Sequence, residues 1–251
     1  MTHTMPQLST HKPSLGFVSA VSNFEVLRQQ LMRSPCFQTG QMALTIHANA
    51  ASAAQAFNDA LQSTRVDWLV WVHQDVYLPT DWEKRFVDQL LLATHRWPQV
   101  AVAGVYGVQD RGDRAQHVGH VLDRGRRIAP QAALPCLADS LDELLFAVRV
   151  DSGLAMDPAL GFDFYATDLV LQAQARGRQC VVVDAFCEHW SSTPTSWPLP
   201  PSMCRRIQSS AEIFEAKWAA SLPVTTSCFD IRKLGDVATF LQAGESSSGH
   251  P

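Results

Sequence analysis

The chain has no apolar run near the roughly 20 residues needed to cross a bilayer, so no membrane-spanning helix is expected. Its first residues, Met1 to Pro13, are polar and lack the apolar core of a secretion signal, and export is not expected. The six cysteines (36, 136, 180, 187, 204 and 228) never form a C-x-x-C pair. Neither a disulfide framework nor a zinc site is indicated, and the thiols read as reduced and mostly buried in a cytoplasmic protein of bacterial style. An excess of positive charge is also missing: 20 Lys plus Arg face 24 Asp plus Glu, a formal charge of −4. Nothing in that balance suggests a nucleic-acid partner. There is no internal repeat and no sign of a second domain.

What is present is the make-up of one large α/β domain: 251 residues, 46% apolar and 18% charged. The central stretch is Asp67-Trp-Leu-Val-Trp-Val-His-Gln-Asp-Val-Tyr-Leu-Pro79. Trp68 to Val72 is too short for a helix and too apolar for a half-exposed strand, so it predicts a strand buried on both faces. Pro79 stops further pairing, and Thr80-Asp81 is placed to cap a helix running to about His95. Around it, Leu15–Ser22, Met42–His47 and Val100–Tyr106 read as further strands. Asn23 and Ser52 stand at the N-caps of helices over about 24–32 and to about Leu61. Strand and helix alternating at this spacing predict parallel βαβ units in a doubly wound sheet, with residues 15–106 as a nucleotide-binding half. In such a sheet, ligands bind at the carboxyl ends of the strands, where His73-Gln74-Asp75 falls.

Residues 107–235 form a less regular half. Residues 107–135 are loop with a short hairpin (119–123, then 124–128), and 141–150 suit a strand. Tyr165–Arg176 reads as a helix closed by Gly177. Cys180–Asp184 is a strand leading into Cys187-Glu-His-Trp190, and a Pro-rich connector over 193–201 precedes a helix over 201–220. Residues 1–14 read as a flexible arm and 236–251 as a tail with a disordered end.

These pieces together resemble family-2-like glycosyltransferases of the GT-A fold, in particular the streptomycin-biosynthesis-type branch whose metal motif reads His-Gln-Asp. The resemblance rests on Val21-Ser-Asn, Ala51-Ser-Ala-Ala-Gln-Ala-Phe-Asn58, Val72-His-Gln-Asp-Val-Tyr-Leu78, Phe162-Asp-Phe-Tyr-Ala-Thr-Asp168-Leu and Glu188-His-Trp-Ser191, and it covers about 15–235. It implies sugar transfer from a nucleotide-sugar donor, UDP- or GDP-linked, to an acceptor hydroxyl with inversion, assisted by Mn²⁺ or Mg²⁺. The ion would stabilise charge on the departing diphosphate. Asp75 is the metal ligand implied and His189 a distal one, although His189 fits a plain loop histidine equally well. Donor contacts are implied for Ser22, Asn23, Asn49, Asn58, His73 and Gln74, with Asn58 also suiting a structural hydrogen bond.

The acceptor hydroxyl needs a carboxylate base. Relatives often read Tyr-Asp-x-Asp, whereas this chain reads Tyr165-Ala-Thr-Asp168. Asp168 is the better match and Asp163 the second, while Asp168 also fits a first-turn acid favoured by the helix dipole. Asp142-Glu143 resembles a position lining the acceptor side, or a solvated strand start. Arg124, Arg126 and Arg127 suit a solvated hairpin or a diphosphate patch. His117 and His120 have the look of a metal pair. Trp190, Trp197 and Trp218 are candidates for sugar stacking or for packing.

Two alternatives stay open. A catalytically impaired nucleotide-sugar binder is motivated by Ala166. A nucleotidyltransferase is disfavoured because Val21-Ser-Asn-Phe-Glu25 has no glycine or basic residue to hold a triphosphate. The acceptor (saccharide, lipid-linked or protein) is left open, as is peripheral membrane contact through an amphipathic helix carrying Ile207, Ile213, Phe214 and Trp218.

Overall fold

The computed structural model describes residues 12–110, 114–130, 132–192 and 198–247. The expected arm at 1–14 falls mostly outside these residues, as do Trp197 and the end of the expected tail. The core is a seven-stranded sheet in the order Cys136–Leu137, Gln179–Val182, Val100–Gly104, Leu145–Arg149, Trp68–Val72, Leu15–Val21, Leu44–Ala48. Neighbouring strands are parallel except at Leu145–Arg149 and Cys136–Leu137, which run against their neighbours. The mixed α/β domain with a mostly parallel sheet is the expected one.

Side-chain alternation explains why both faces of the sheet are covered. Trp68, Val70 and Val72 point to one face, where Trp82, Phe86, Leu90 and Ala93 of the Trp82–Arg96 helix cover them. Leu69 and Trp71 point to the other, under Phe57 and Ala60 of the Ala53–Ser63 helix and Tyr165, Ala166 and Leu169 of the Tyr165–Ala175 helix. All five residues of the central strand are buried. Fully burying one such side chain is worth about 1.5–3 kcal/mol, so this strand is fixed chiefly by its two apolar faces.

Two caps are as expected: Asn23 Oδ1 accepts from the amides of Glu25 and Val26, and Ser52 Oγ accepts from that of Gln55. Asp81 differs. It precedes the Trp82 helix in the left-handed conformation (φ 60°) and its side chain makes no capping bond. The tail expected from residue 236 also gives way, because Asp236–Ser247 is a helix. Its Val237 and Leu241 join Ile207, Ala211 and Phe214 of the Pro201–Lys217 helix in a third core. Glu215 anchors this unit by accepting from the Val237 amide at 3.2 Å. The apolar face with Ile207 and Phe214 is therefore consumed inside the chain, although Ile213 stays 40% exposed. No described helix is long and apolar enough to cross a membrane.

Candidate metal and donor site

The central strand delivers its last residues to a place where three other strands converge. Val76–Tyr77 pairs antiparallel with Cys187–His189, setting His189 against Val76, and the Trp190 amide donates to the Asp75 carbonyl at 2.9 Å. The same Cys187–His189 strand runs parallel to Val121–Asp123 with His189 opposite Asp123. Residues 66 and more positions apart in sequence are thus locked side by side through backbone pairing.

At this junction one ligand atom from each of His73, Asp75 and His189 lies within 4.8 Å of the others. Asp75 Oδ1 and His189 Nε2 face each other at 3.4 Å, and both atoms are buried without a hydrogen-bond partner. Without an ion this is a long pairing of a protonated imidazole with a carboxylate, and a buried pair with no other partner on either atom is a place where a bound ion would satisfy both. A small divalent ion that accepts carboxylate oxygen and imidazole nitrogen, as Mn²⁺ does, fits this donor set. Asp123 Oδ1 takes the other ring nitrogen of His189, Nδ1, at 2.8 Å, which orients Nε2 toward Asp75.

The electrostatics follow. Burial opposes charge on His189, but its hydrogen bond to Asp123 and the Asp75 carboxylate 3.4 Å from Nε2 outweigh it and raise its pKa to about 9. Burial alone would raise Asp75, yet the two histidines hold it below the usual carboxylate range. His73 is pushed down to about 4, mainly by burial and further by the charge of His189, so it is neutral at neutral pH. Its Nε2 lies 2.8 Å from the Tyr165 hydroxyl, which also accepts from Trp71 Nε1 at 3.2 Å.

The residues expected to touch a donor fall into two groups. Gln74, opposite the end of the Leu15–Val21 strand, accepts from the amides of Ser22 and Asn23 at 3.1 and 3.0 Å and donates to Ser22 Oγ at 3.2 Å. Ser22, Asn23, Gln74 and His73 thus line one strand end, and Asn49 (φ 51°) closes the neighbouring strand with its amide on the Val21 carbonyl. Asn58 is apart from them: its amide group exchanges two hydrogen bonds with the backbone of Met156, which is the structural use.

The two carboxylates expected as base are both engaged. Asp168 is wholly buried, with Oδ1 accepting from Trp218 Nε1 at 2.8 Å and paired with Lys217 Nζ at 2.6 Å, and Oδ2 accepting from Gln172 at 2.7 Å. Asp163 is held through both oxygens by the Arg206 guanidinium. Ala166 is fully buried against the sheet.

His117 and His120 do not form a metal pair: the first bonds the Tyr106 hydroxyl, the second Asp184. Arg127 sits on His120 Nε2 at 3.1 Å and over the Phe186 ring, so that arginine is a packing element of the hairpin. Trp218 is spent on Asp168, while Trp190 remains 43% exposed beside the cluster. Sequence reading did not single out Asp123. Its signal was the short hairpin at 119–128, whose partner strand could not be read from spacing.

Comparison with known proteins agrees with this architecture. The family described as "Glycosyltransferase like family" matches residues 38–199. A protein of Fuscovulum blasticum described as "ATP synthase subunits region ORF 6" is 28% identical over 130 residues, 49% of this chain and 51% of that one. The chain thus spans about half the length of that relative. Among solved structures, GalNAc-T7 with UDP, GalNAc and Mn²⁺ superposes with a TM-score of 0.51 at 10% identity, over 93% of this chain and 54% of that one. The mannosyltransferase PcManGT from Pyrobaculum calidifontis, in complex with GDP-Man and Mn²⁺, gives 0.47 at 12% identity, over 96% and 77%.

Proposed function

The chain belongs to the glycosyltransferase-like family, and we propose that it transfers a sugar from a UDP- or GDP-linked donor to an acceptor hydroxyl, with inversion and with a divalent ion, Mn²⁺ or Mg²⁺. The observation that carries this reading is the buried pair Asp75 Oδ1 and His189 Nε2, facing at 3.4 Å with no other partner. Asp75 and His189 would hold the ion, with His73 completing the set. When bound, the ion supplies Lewis-acid stabilisation of the negative charge that grows on the leaving diphosphate.

The chain's own groups do the rest. Asp123 orients His189. Gln74, Ser22 and Asn23 shape the wall at the end of the first strand, and Asn49 lies beside them for the nucleoside. The His-Gln-Asp spelling supports placement in the streptomycin-biosynthesis-type branch. The GDP-mannose and UDP complexes of the structural neighbours are consistent with either nucleotide.

A second reading, donor binding without transfer, is favoured by Ala166, which has no acid to offer, and by the closed partner sets of Asp163 and Asp168. The two readings separate in one experiment. The protein is incubated with Mn²⁺ and a panel of UDP- and GDP-sugars, with and without simple glycoside acceptors, and released nucleoside diphosphate is measured. Release that depends on Mn²⁺ and is lost in His189→Ala supports transfer. Binding with no release from any donor supports the second reading.

A further inference from the structure

Three ionisable side chains among the described residues carry a buried polar atom with no hydrogen-bond partner: Asp75, His189 and Glu143. The first two face each other at the proposed metal position. The third, Glu143 Oε1, has no such counterpart. Yet the backbone places it at the same end of the sheet. Leu145 pairs with Val72, and the His73 amide donates to the Leu144 carbonyl, so Glu143 stands across from Gln74. Its carbonyl accepts from Trp71 Nε1 at 3.1 Å and lies 3.4 Å from the Tyr165 hydroxyl that reaches His73.

The other carboxylates nearby are committed. Asp123 holds His189, Asp163 holds Arg206, Asp168 holds Lys217 and Trp218, Asp184 holds His120, and Glu188 holds Trp190. Asp142, next to Glu143, caps the Leu144 amide at 2.9 Å.

We infer that Glu143 is the general base of this glycosyltransferase, supplying from the segment that enters the central Leu145–Arg149 strand the carboxylate that Ala166 cannot supply from the helix. The inference rests on the transfer reading above. In the step, the acceptor O–H bond breaks and its proton passes to the Glu143 carboxylate. The acceptor oxygen bonds to the anomeric carbon, and the bond from that carbon to the phosphate oxygen breaks, its electron pair leaving on the nucleoside diphosphate.

The surroundings suit the role. Asp142 on its own segment, Asp163 and Tyr165 at the start of the helix, Arg206 from the Pro201–Lys217 helix and Cys228 from the turn after Val224–Thr225 are the charged and titratable groups that act on this carboxylate, and the Tyr165 backbone amide donates to it. Burial, then the charges of Asp163 and Asp142, hold Glu143 well above the usual carboxylate range, against the pull of Arg206. In its ionised form a carboxylate so raised accepts a proton more strongly than an exposed one.

The test is Glu143→Gln, with Glu143→Asp as the conservative partner, in the full chain with Mn²⁺. Calorimetric binding of UDP and GDP and the thermal melt report the donor site and the fold. Nucleoside diphosphate release from the donor reports turnover. The expected result for Glu143→Gln is unchanged diphosphate affinity, a melting temperature equal to or above wild type, and turnover reduced about 10²–10⁴-fold. The acidic limb of the wild-type pH–rate profile should be lost with it, while Glu143→Asp retains an intermediate rate. Turnover within about threefold of wild type, or a change confined to the donor KM, overturns the base assignment and leaves the transfer reading standing. If wild type itself binds diphosphate but releases none from any donor, both fail together.

Discussion

Asp168→Asn separates a structural carboxylate from a catalytic one. Asp168 is 0% exposed and receives Trp218 Nε1, Gln172 Nε2 and Lys217 Nζ. An asparagine keeps one carbonyl oxygen, so its amide must point a donor at Gln172 or at Trp218. Losing one hydrogen bond to a charged acceptor costs about 1.5–3 kcal/mol. The ion-pair loss is smaller than for a fully buried pair because Lys217 is 30% exposed and keeps Asp157 at 2.6 Å, so about 1 kcal/mol is assigned to it. The total is about 3 kcal/mol, which for a chain of this size lowers the melting temperature by about 8 °C. Melting and urea titration measure the loss, and Mn²⁺-dependent binding of UDP or GDP well below the transition should match wild type. An unchanged melt with turnover reduced a hundredfold or more would refute this and return Asp168 to the chemistry.

Other outcomes follow from the same geometry. Asp123→Ala removes the carboxylate that orients His189 Nε2, so Mn²⁺ affinity should fall about 10–100-fold with the fold intact; an unchanged affinity by calorimetry would show that Asp123 is a bystander. The metal-free protein should lose stability on both sides of pH 6.5. His189 is raised to about 9, so its contribution is complete below about 6.5 and disappears as pH climbs to 9. His73 is lowered to about 4, so its contribution is complete above about 6.5 and is lost as pH falls toward 4. Melts in chelator from pH 4 to 9 measure both arms. Because an ion must displace the His189 proton, Mn²⁺ affinity should rise about tenfold per pH unit between 6.5 and 8.5, and a flat profile would contradict the ligand assignment.

The features legible in the sequence are those set by local physics. The buried run Trp68–Val72 and the caps Asn23 and Ser52 depend on neighbours a few residues away, and each forms as expected. The placement of His73 and Asp75 at a strand end follows from that run alone. Pairings over long separations were not legible. Asp123 meets His189 only because two short strands run parallel across 66 residues, and Asp168 meets Lys217 and Trp218 only after the C-terminal helix folds back. Residues 236–247 read as a tail in the sequence because their apolar positions make sense only against the preceding helix. Glu143 could be placed at the start of a strand, but its orphaned oxygen is a property of the packed interior.

The most direct measurement is calorimetric titration of UDP and GDP into wild type and Asp75→Asn, each with Mn²⁺ and with chelator. The account predicts that one diphosphate binds wild type only with Mn²⁺ and that Asp75→Asn loses this binding while still folding, with a lower metal-free melting temperature because His189 loses one of its two carboxylate partners. Metal-independent binding, or equal binding by Asp75→Asn, would contradict it.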